Sequence, residues 1–361
     1  MLKKEQMYKI VEAIKEVGPR NISEIARITR LPIETVRYKI KKQLKEKGIT
    51  IRASINYGKI GLRRYWLNLY FTDRGERRAA EMLNLLAMRG YLTYYARTLP
   101  KRIYVAMVTL PPRFKGEYIK MLDELVNMDV LANYDMWEMA WLRHISMRQE
   151  YFDFDKGEWA IDWSKIEKEP IRIEEMPIEK IETRVDKIDL LILAYLQANS
   201  FLSLSKIARM LNKNPKKLRY HYTEHVLKRG LINKYVVYWT SIGQGRALWM
   251  FFQFTDLDKK RLLQLESTFH KIPFIFLDGV SVSCSFYLVG LIASLKHYLN
   301  TLQFASAALS ETPYNSELMI VDLSFVRTFS LPFEMFDDEK REWVFDKQLV
   351  LEPARQILLR L

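Results

Sequence analysis

The chain is poor in the features that would tie it to a membrane or to a secretory route. One cysteine, Cys284, stands among 361 residues, so no internal disulfide can form, which agrees with a reducing compartment. Its expected place is as a small buried hydrophobe in a strand. No apolar run approaches the roughly 18 residues of a membrane span, and the longest candidate, Phe286 to Ala293, reads as a buried strand. Lys3 and Lys4 open the chain, but Glu5, Lys9 and Glu12 interrupt any apolar stretch after them, which argues against a secretory signal. The expectation is a cytoplasmic, nucleoid-associated protein. No grouping of side chains assembles an obvious acid, base or nucleophile. Gly243-Gln244-Gly245 precedes a strand instead of opening a helix, so it reads as a turn and not as a nucleotide loop.

What is present is apolar mass and unevenly placed charge. Hydrophobic residues make up 49% and aromatic residues 13% of the chain, enough for the well-filled cores of two to four domains. The net charge is +14; residues 1–52 carry +8 and residues 186–240 carry +7, leaving −1 for all the rest. A solvated surface spreads its charge, whereas concentration on two segments marks a polyanion partner.

Those two segments resemble one another. Ile25-Ala26-Arg27 through Gly48-Ile49 returns as Ile207-Ala208-Arg209 through Gly230-Leu231, which reads as a tandem duplication. Val36, Ile40 and Leu44 fall on Leu218, Tyr222 and Val226, at i, i+4 and i+8, one stripe of a helix. In each copy a short helix meets a turn with Pro32 or Pro215, which opens a second helix, the grammar of a helix-turn-helix. Gly48 and Gly230 end that helix and a β-rich run follows, a wing. The outward face of the second helix approaches a DNA major groove, its early residues near base edges and later basic ones near phosphates. The DNA-contact candidates are Arg30, Thr35, Arg37, Tyr38, Lys41 and Lys42 in the first copy, and Lys213, Lys216, Lys217, Arg219, Tyr220 and His221 in the second. Arg37 and Tyr38 are the base-proximal ones. His221 and His225 have the i, i+4 spacing that can pair imidazoles on a metal, but no third Cys or His lies near them and the HExxH pattern is absent. They are expected to face DNA or solvent, with no metal and no cofactor.

After each wing the pattern turns to βαββαβ. Strand Tyr65 to Phe71, helix Arg77 to Met88, strands Tyr91 to Thr98 and Arg102 to Leu110, helix Lys115 to Asn127 and strand Leu131 to His144 are matched by a second series from Ala247 to Thr328. That order predicts a ferredoxin-like antiparallel sheet with two helices on one face. Each copy ends in a related tail, Phe152-Asp153 to Glu158-Trp159 and Phe336-Asp337 to Glu342-Trp343, expected as a hairpin docked by its apolar side. Seven tryptophans, Trp137, Trp141, Trp159, Trp163, Trp239, Trp249 and Trp343, are expected mainly in packing. Residues 166–184 read as an extended linker that lets the second half be placed independently. The expected division is 1–55, winged unit; 56–165, ferredoxin-like domain; 166–184, linker; 185–240, winged unit; 241–361, ferredoxin-like domain with tail. The fold class is α+β.

Val185-Asp186-Lys187-Ile188-Asp189, followed by Ile192-Leu193, Leu196, Asn199, Ile207-Ala208 and Gly230-Leu231-Ile232, resembles the start of the Lrp/AsnC (feast/famine) family of archaeal and bacterial transcription regulators. The resemblance implies a sequence-specific double-stranded DNA-binding regulator, not an enzyme. Two unlike copies then form a covalent pseudo-dimer reading an asymmetric site. It also implies an amino-acid pocket with a Gly-Asp/Glu-x-Asp stretch, yet the corresponding positions read Thr98-Leu99-Pro100-Lys101-Arg102 and Gly279-Val280-Ser281-Val282-Ser283, without the acids. A basal transcription factor, or a second copy docking through the ferredoxin-like domains, is the further partner expected. Two alternatives stand beside the regulator. One is an adapter recruiting basal transcription factors to promoters. The other is an enzyme, since the siroheme decarboxylases share this layout of wing plus ferredoxin-like domain and basic side chains can hold a carboxylated tetrapyrrole.

Overall fold

The computed structural model describes residues 3–168, 185–239, 247–309 and 315–359. Nearly all of the expected linker and the turn at Gly243-Gln244-Gly245 lie outside them. The strands in chain order are β1 (Ile49–Ile55), β2 (Arg63–Phe71), β3 (Tyr94–Leu99), β4 (Tyr104–Leu110), β5 (Leu131–His144), β6 (Phe152–Asp153), β7 (Glu158–Trp159), β8 (Ile232–Trp239), β9 (Ala247–Thr255), β10 (Ile275–Ser281), β11 (Tyr287–Ser294), β12 (Asn315–Thr328), β13 (Phe336–Asp337) and β14 (Glu342–Trp343).

Local chemistry sets the helices. Lys3–Val17 is followed by Ile22–Thr29, whose Asn21 cap accepts from Glu24 N and whose end is turned by Arg30 at φ +55°. Ile33–Tyr38 then runs on as a π-helical stretch, Lys39–Gln43. In the second half Lys187–Ala198 opens on an Asp186/Asp189 capping box, Leu204–Met210 on Ser203, and Pro215–Tyr220 on Asn214 with proline in its first turn; such caps satisfy orphan N–H groups. The core stripes are as expected, with Val36, Ile40, Leu44, Leu218 and Val226 buried, while Tyr222 is half-buried.

The two halves are tied together at two levels. First, β1 pairs antiparallel with β8, from Ile49 opposite Trp239 to Ser54 opposite Lys234. Alternate residues Ile49, Ile51, Ala53 and Ile55 face inward, as a half-buried strand requires. Second, the sheets β3-β4-β2-β5 and β10-β11-β9-β12, each in ferredoxin-like order, join edge to edge through β5–β10 and β12–β3 into a closed eight-stranded barrel. Gly279 on β10 allows the first seam: a Cβ there would lie 2.7 Å from Leu142 Cδ1 and 2.8 Å from Met139 Cε. Arg97 and Asp322, 2.6 Å apart, bridge the second. Closure leaves no free sheet edge at either seam, so the expectation of an independently placed second half is corrected.

The tails cross between halves. Phe152 and Trp159 pack on Trp239 with ring centroids 4.9 and 5.3 Å away, and Trp343 Nε1 donates to Ile60 O at 2.8 Å. Cys284 departs from expectation: it sits at φ +58° beyond the end of β10, half-buried, and not within a strand. A closing helix, Gln348–Leu358, has no counterpart in the sequence reading. Among the described residues no helix is long and apolar enough to cross a membrane.

Candidate functional site

Most of the expected DNA-contact side chains are on the surface. Arg30, Tyr38, Lys41, Lys42, Lys213, Lys216, Lys217, Arg219 and Tyr220 are exposed, while Thr35 and Arg37 are half-buried. Arg37 is paired with Glu34 on its own helix. His221 differs. It is 6% exposed and its Nδ1 lies 2.9 Å from Asp189 Oδ1, so it is turned inward, away from any groove. His225 also points at Asp189, at 3.0 Å. The expectation that these imidazoles face DNA or solvent is corrected by the capping carboxylate, which draws both inward.

Two cavities lie where the β1–β8 pair meets the barrel. The larger, about 650 Å³, is lined by helix Lys3–Val17, the end of β5, β8 and the start of β10, and its charges are mixed: Lys15, Arg148 and Lys234 against Glu12, Glu16 and Glu150. Arg143 and His270, also in its lining, are bound to the buried Asp278 at 2.9 and 2.6 Å. The smaller, about 280 Å³, is lined by β1, the start of β2, the end of β5, the end of helix Lys187–Ala198 and residues Thr328 to Ser330 after β12. It carries Arg52, Arg64 and His144 with Tyr57, Thr93 and Thr109, and no carboxylate among the described residues lines it.

The smaller cavity is therefore lined by cationic and neutral polar groups. Arg52 is held 5.6 Å from the Tyr238 ring centroid and Arg64 4.6 Å from that of Tyr57, cation–π contacts that orient the two guanidiniums. Tyr57 in turn accepts from Gln197 Nε2 at 2.6 Å. His144 stacks between Tyr238 and Phe276, each 6.4 Å away. Burial first, then the Arg52 and Arg64 charges, push its imidazole down to about 3, and the Phe276 carbonyl alone opposes them. His144 is thus neutral at pH 7. Its Nδ1 and Arg52 Nε are buried without a hydrogen-bond partner among the described residues, an arrangement that costs stability unless something else binds there. Sequence reading missed all three residues, because they come from β1, β2 and β5 and no spacing connects them; Arg52 was counted only as part of a basic segment.

Comparison with known proteins bears on this architecture. Residues 185–224 match the model of a winged helix-turn-helix DNA-binding family. No curated protein sequence matches the chain. Among solved structures, the siroheme decarboxylase NirDL is similar over 98% of this chain and 98% of its own, with a TM-score of 0.53 at 10% identity. The same enzyme in co-complex with an iron-uroporphyrin III analogue is similar over 98% and 99%, with a TM-score of 0.52 at 10% identity. A transcriptional regulatory protein of the AsnC family from Pyrococcus furiosus is similar over 38% of this chain and 89% of its own, with a TM-score of 0.30 at 19% identity.

The full-length likeness shows the fold, wings and barrel together, and its counterpart is an enzyme. The reading of the chain as a non-enzymatic transcription regulator is corrected on that ground. What the family model supports is a winged helix-turn-helix in the second half, and with it double-stranded DNA as a ligand of that segment.

Proposed function

We propose that the protein is a decarboxylase of the siroheme-decarboxylase kind, acting on a carboxylated tetrapyrrole whose carboxylate enters the Arg52–Arg64–His144 cavity. The observation that carries this reading is a cavity with two guanidiniums, a neutral imidazole and, among the described residues, no acidic side chain in its lining. Its volume of about 280 Å³ suits a carboxylated arm, and its rim includes the exposed Thr328.

In such a site Arg52 and Arg64 hold the carboxylate by charge-assisted hydrogen bonds. Their charge is then offset, which removes the smaller part of what keeps His144 neutral, burial being the larger, and favours passage of a proton through the imidazole. Loss of CO₂ breaks the bond between the carboxyl carbon and its neighbour, leaves the electron pair on that neighbour, and consumes one proton: R–COO⁻ + H⁺ gives R–H + CO₂. His144 supplies the proton and is recharged from solvent. Incubation of the full chain with siroheme tests the reading. The expected result is a product lighter by CO₂ and a change in visible absorbance on binding; an unchanged substrate mass with no absorbance change overturns it.

The repeated element order, the wing pair and the two like-ordered sheets support a duplicated chain, with residues 1–55 as a second winged helix-turn-helix and the remaining divisions at 165, 184 and 240. The exposed Lys213, Lys216, Lys217, Arg219 and Tyr220 are then the contacts through which the second unit meets DNA, with Arg30, Thr35, Arg37, Tyr38, Lys41 and Lys42 their counterparts.

A further inference from the structure

Asp186, Asp189, His221 and His225 each bring a ligand atom to one point, all within 4.8 Å of one another. Asp186 caps helix Lys187–Ala198: its Oδ1 accepts from Ile188 N at 2.9 Å and Asp189 N at 3.0 Å, leaving Oδ2 facing His221 Nδ1 at 3.5 Å. Asp189, one turn further on, is 0% exposed. Its Oδ1 is met by His221 Nδ1 at 2.9 Å and His225 Nδ1 at 3.0 Å. The two imidazoles stand on one face of the π-helical stretch His221–Leu227, ring centroids 4.7 Å apart.

Two features separate this cluster from an ordinary polar network. A buried carboxylate needs a compensating charge, and the ion-pair partners of Asp189 among the described residues are these imidazoles alone, which carry charge only when protonated. Three of the six separations between the four ligand atoms also match a coordination shell. Bonds of about 2.0–2.1 Å at tetrahedral angles place neighbouring ligand atoms about 3.3 Å apart, and the observed separations of 2.9, 3.0 and 3.5 Å lie within a few tenths of that. Asp186, with its side chain 30% exposed, and His225, at 18%, leave an entry path from solvent.

We propose that Asp186, Asp189, His221 and His225 bind a divalent transition cation, with Zn²⁺ the best match to two imidazoles and two carboxylates. The ion staples the start of helix Lys187–Ala198 to the helix that carries the exposed Lys216, Lys217 and Arg219, and so fixes the tilt of that helix. This site is separate from the decarboxylase cavity and does not depend on that reading. Calorimetric titration of the chelator-washed full chain with Zn²⁺, and with Co²⁺ read by visible absorbance, tests it. One equivalent should bind. Loss of an outer-shell partner already weakens metal sites by about 10- to 100-fold, so His225→Ala and Asp189→Asn should each weaken Zn²⁺ at least about tenfold, in protein whose circular dichroism is unchanged. The milder His225→Gln should do the same if the alanine variant does not fold. Absence of one-equivalent binding to the wild type, or affinities unchanged in the folded variants, overturns the proposal.

Discussion

Asn68 and Gln253 exchange both side-chain hydrogen bonds inside the barrel, Asn68 Nδ2 donating to Gln253 Oε1 at 2.8 Å and Gln253 Nε2 to Asn68 Oδ1 at 3.0 Å. One comes from β2 and the other from β9, so this buried pair links the two sheets face to face. Removing one partner leaves a buried amide unsatisfied, at a cost of about 1–3 kcal/mol. Asn68→Ala and Gln253→Ala should each lower denaturant stability by about that much. The double variant Asn68→Leu/Gln253→Leu should lose less than the sum, since no polar group is then stranded. Additive losses in urea titrations would show that the pair is not coupled.

The proposed carboxylate site makes its own demand. A hydrogen bond to a charged group contributes about 1.5–3 kcal/mol, so Arg52→Gln or Arg64→Gln should weaken binding of an iron-uroporphyrin III analogue by roughly 10- to 100-fold. Titration followed by visible absorbance measures it. Lys15→Gln, in the larger cavity of mixed charge, should leave that affinity unchanged.

His144 predicts a pH dependence. Its folded-state value, about 3, lies below the ordinary imidazole value of 6.5, so between those limits the unfolded chain binds a proton that the folded chain refuses. The associated stability is complete above pH 6.5 and is lost progressively as pH falls toward 3, at about 1.4 kcal/mol per unit. His144→Phe should therefore flatten the acid side of the stability profile between those limits. An unchanged profile in denaturant melts at stepped pH would show that His144 is not held neutral.

Asp278 is fully buried, with Arg143 and His270 as partners. Those partners hold its carboxyl below the usual range against the opposing effect of burial. Stranding one side of such a pair costs about 3–5 kcal/mol. Asp278→Asn should lower the Tm by several degrees, and adding Arg143→Met should recover part of the loss. Differential scanning calorimetry on both variants decides it.

The exposed basic side chains of the second winged unit predict salt-dependent DNA affinity. If three or four of them each neutralise a phosphate, log K should fall against log salt with a slope of about −3. Arg219→Ala should reduce that slope by about one if it meets a phosphate, and should instead relax base preference if it reads an edge. A flat titration would remove DNA from the ligands of this segment.

By itself the sequence determined the local grammar: helical stripes at Val36, Ile40 and Leu44, the Pro215 and Asn214 helix start, strand alternation, and the βαββαβ order on each side. These follow from near-neighbour sterics, capping and periodicity, which act over a few residues and leave a visible spacing. It also placed Arg219, Lys216 and Lys217 outward, because a core stripe on a helix dictates its opposite face. The site depended on contacts that no spacing encodes. Arg52, Arg64 and His144 converge only because β1 pairs with β8 and two sheets close edge to edge, and His221 and His225 turned inward only because a helix that starts 34 residues before His221 presents the capping carboxylate of Asp189. Residue type announces a charge; the folded surroundings decide whether water, DNA or a buried counter-charge meets it. Electrostatic partners across the barrel are long-range in sequence and short-range in space, and that is why tertiary structure alone decided where the chemistry lies.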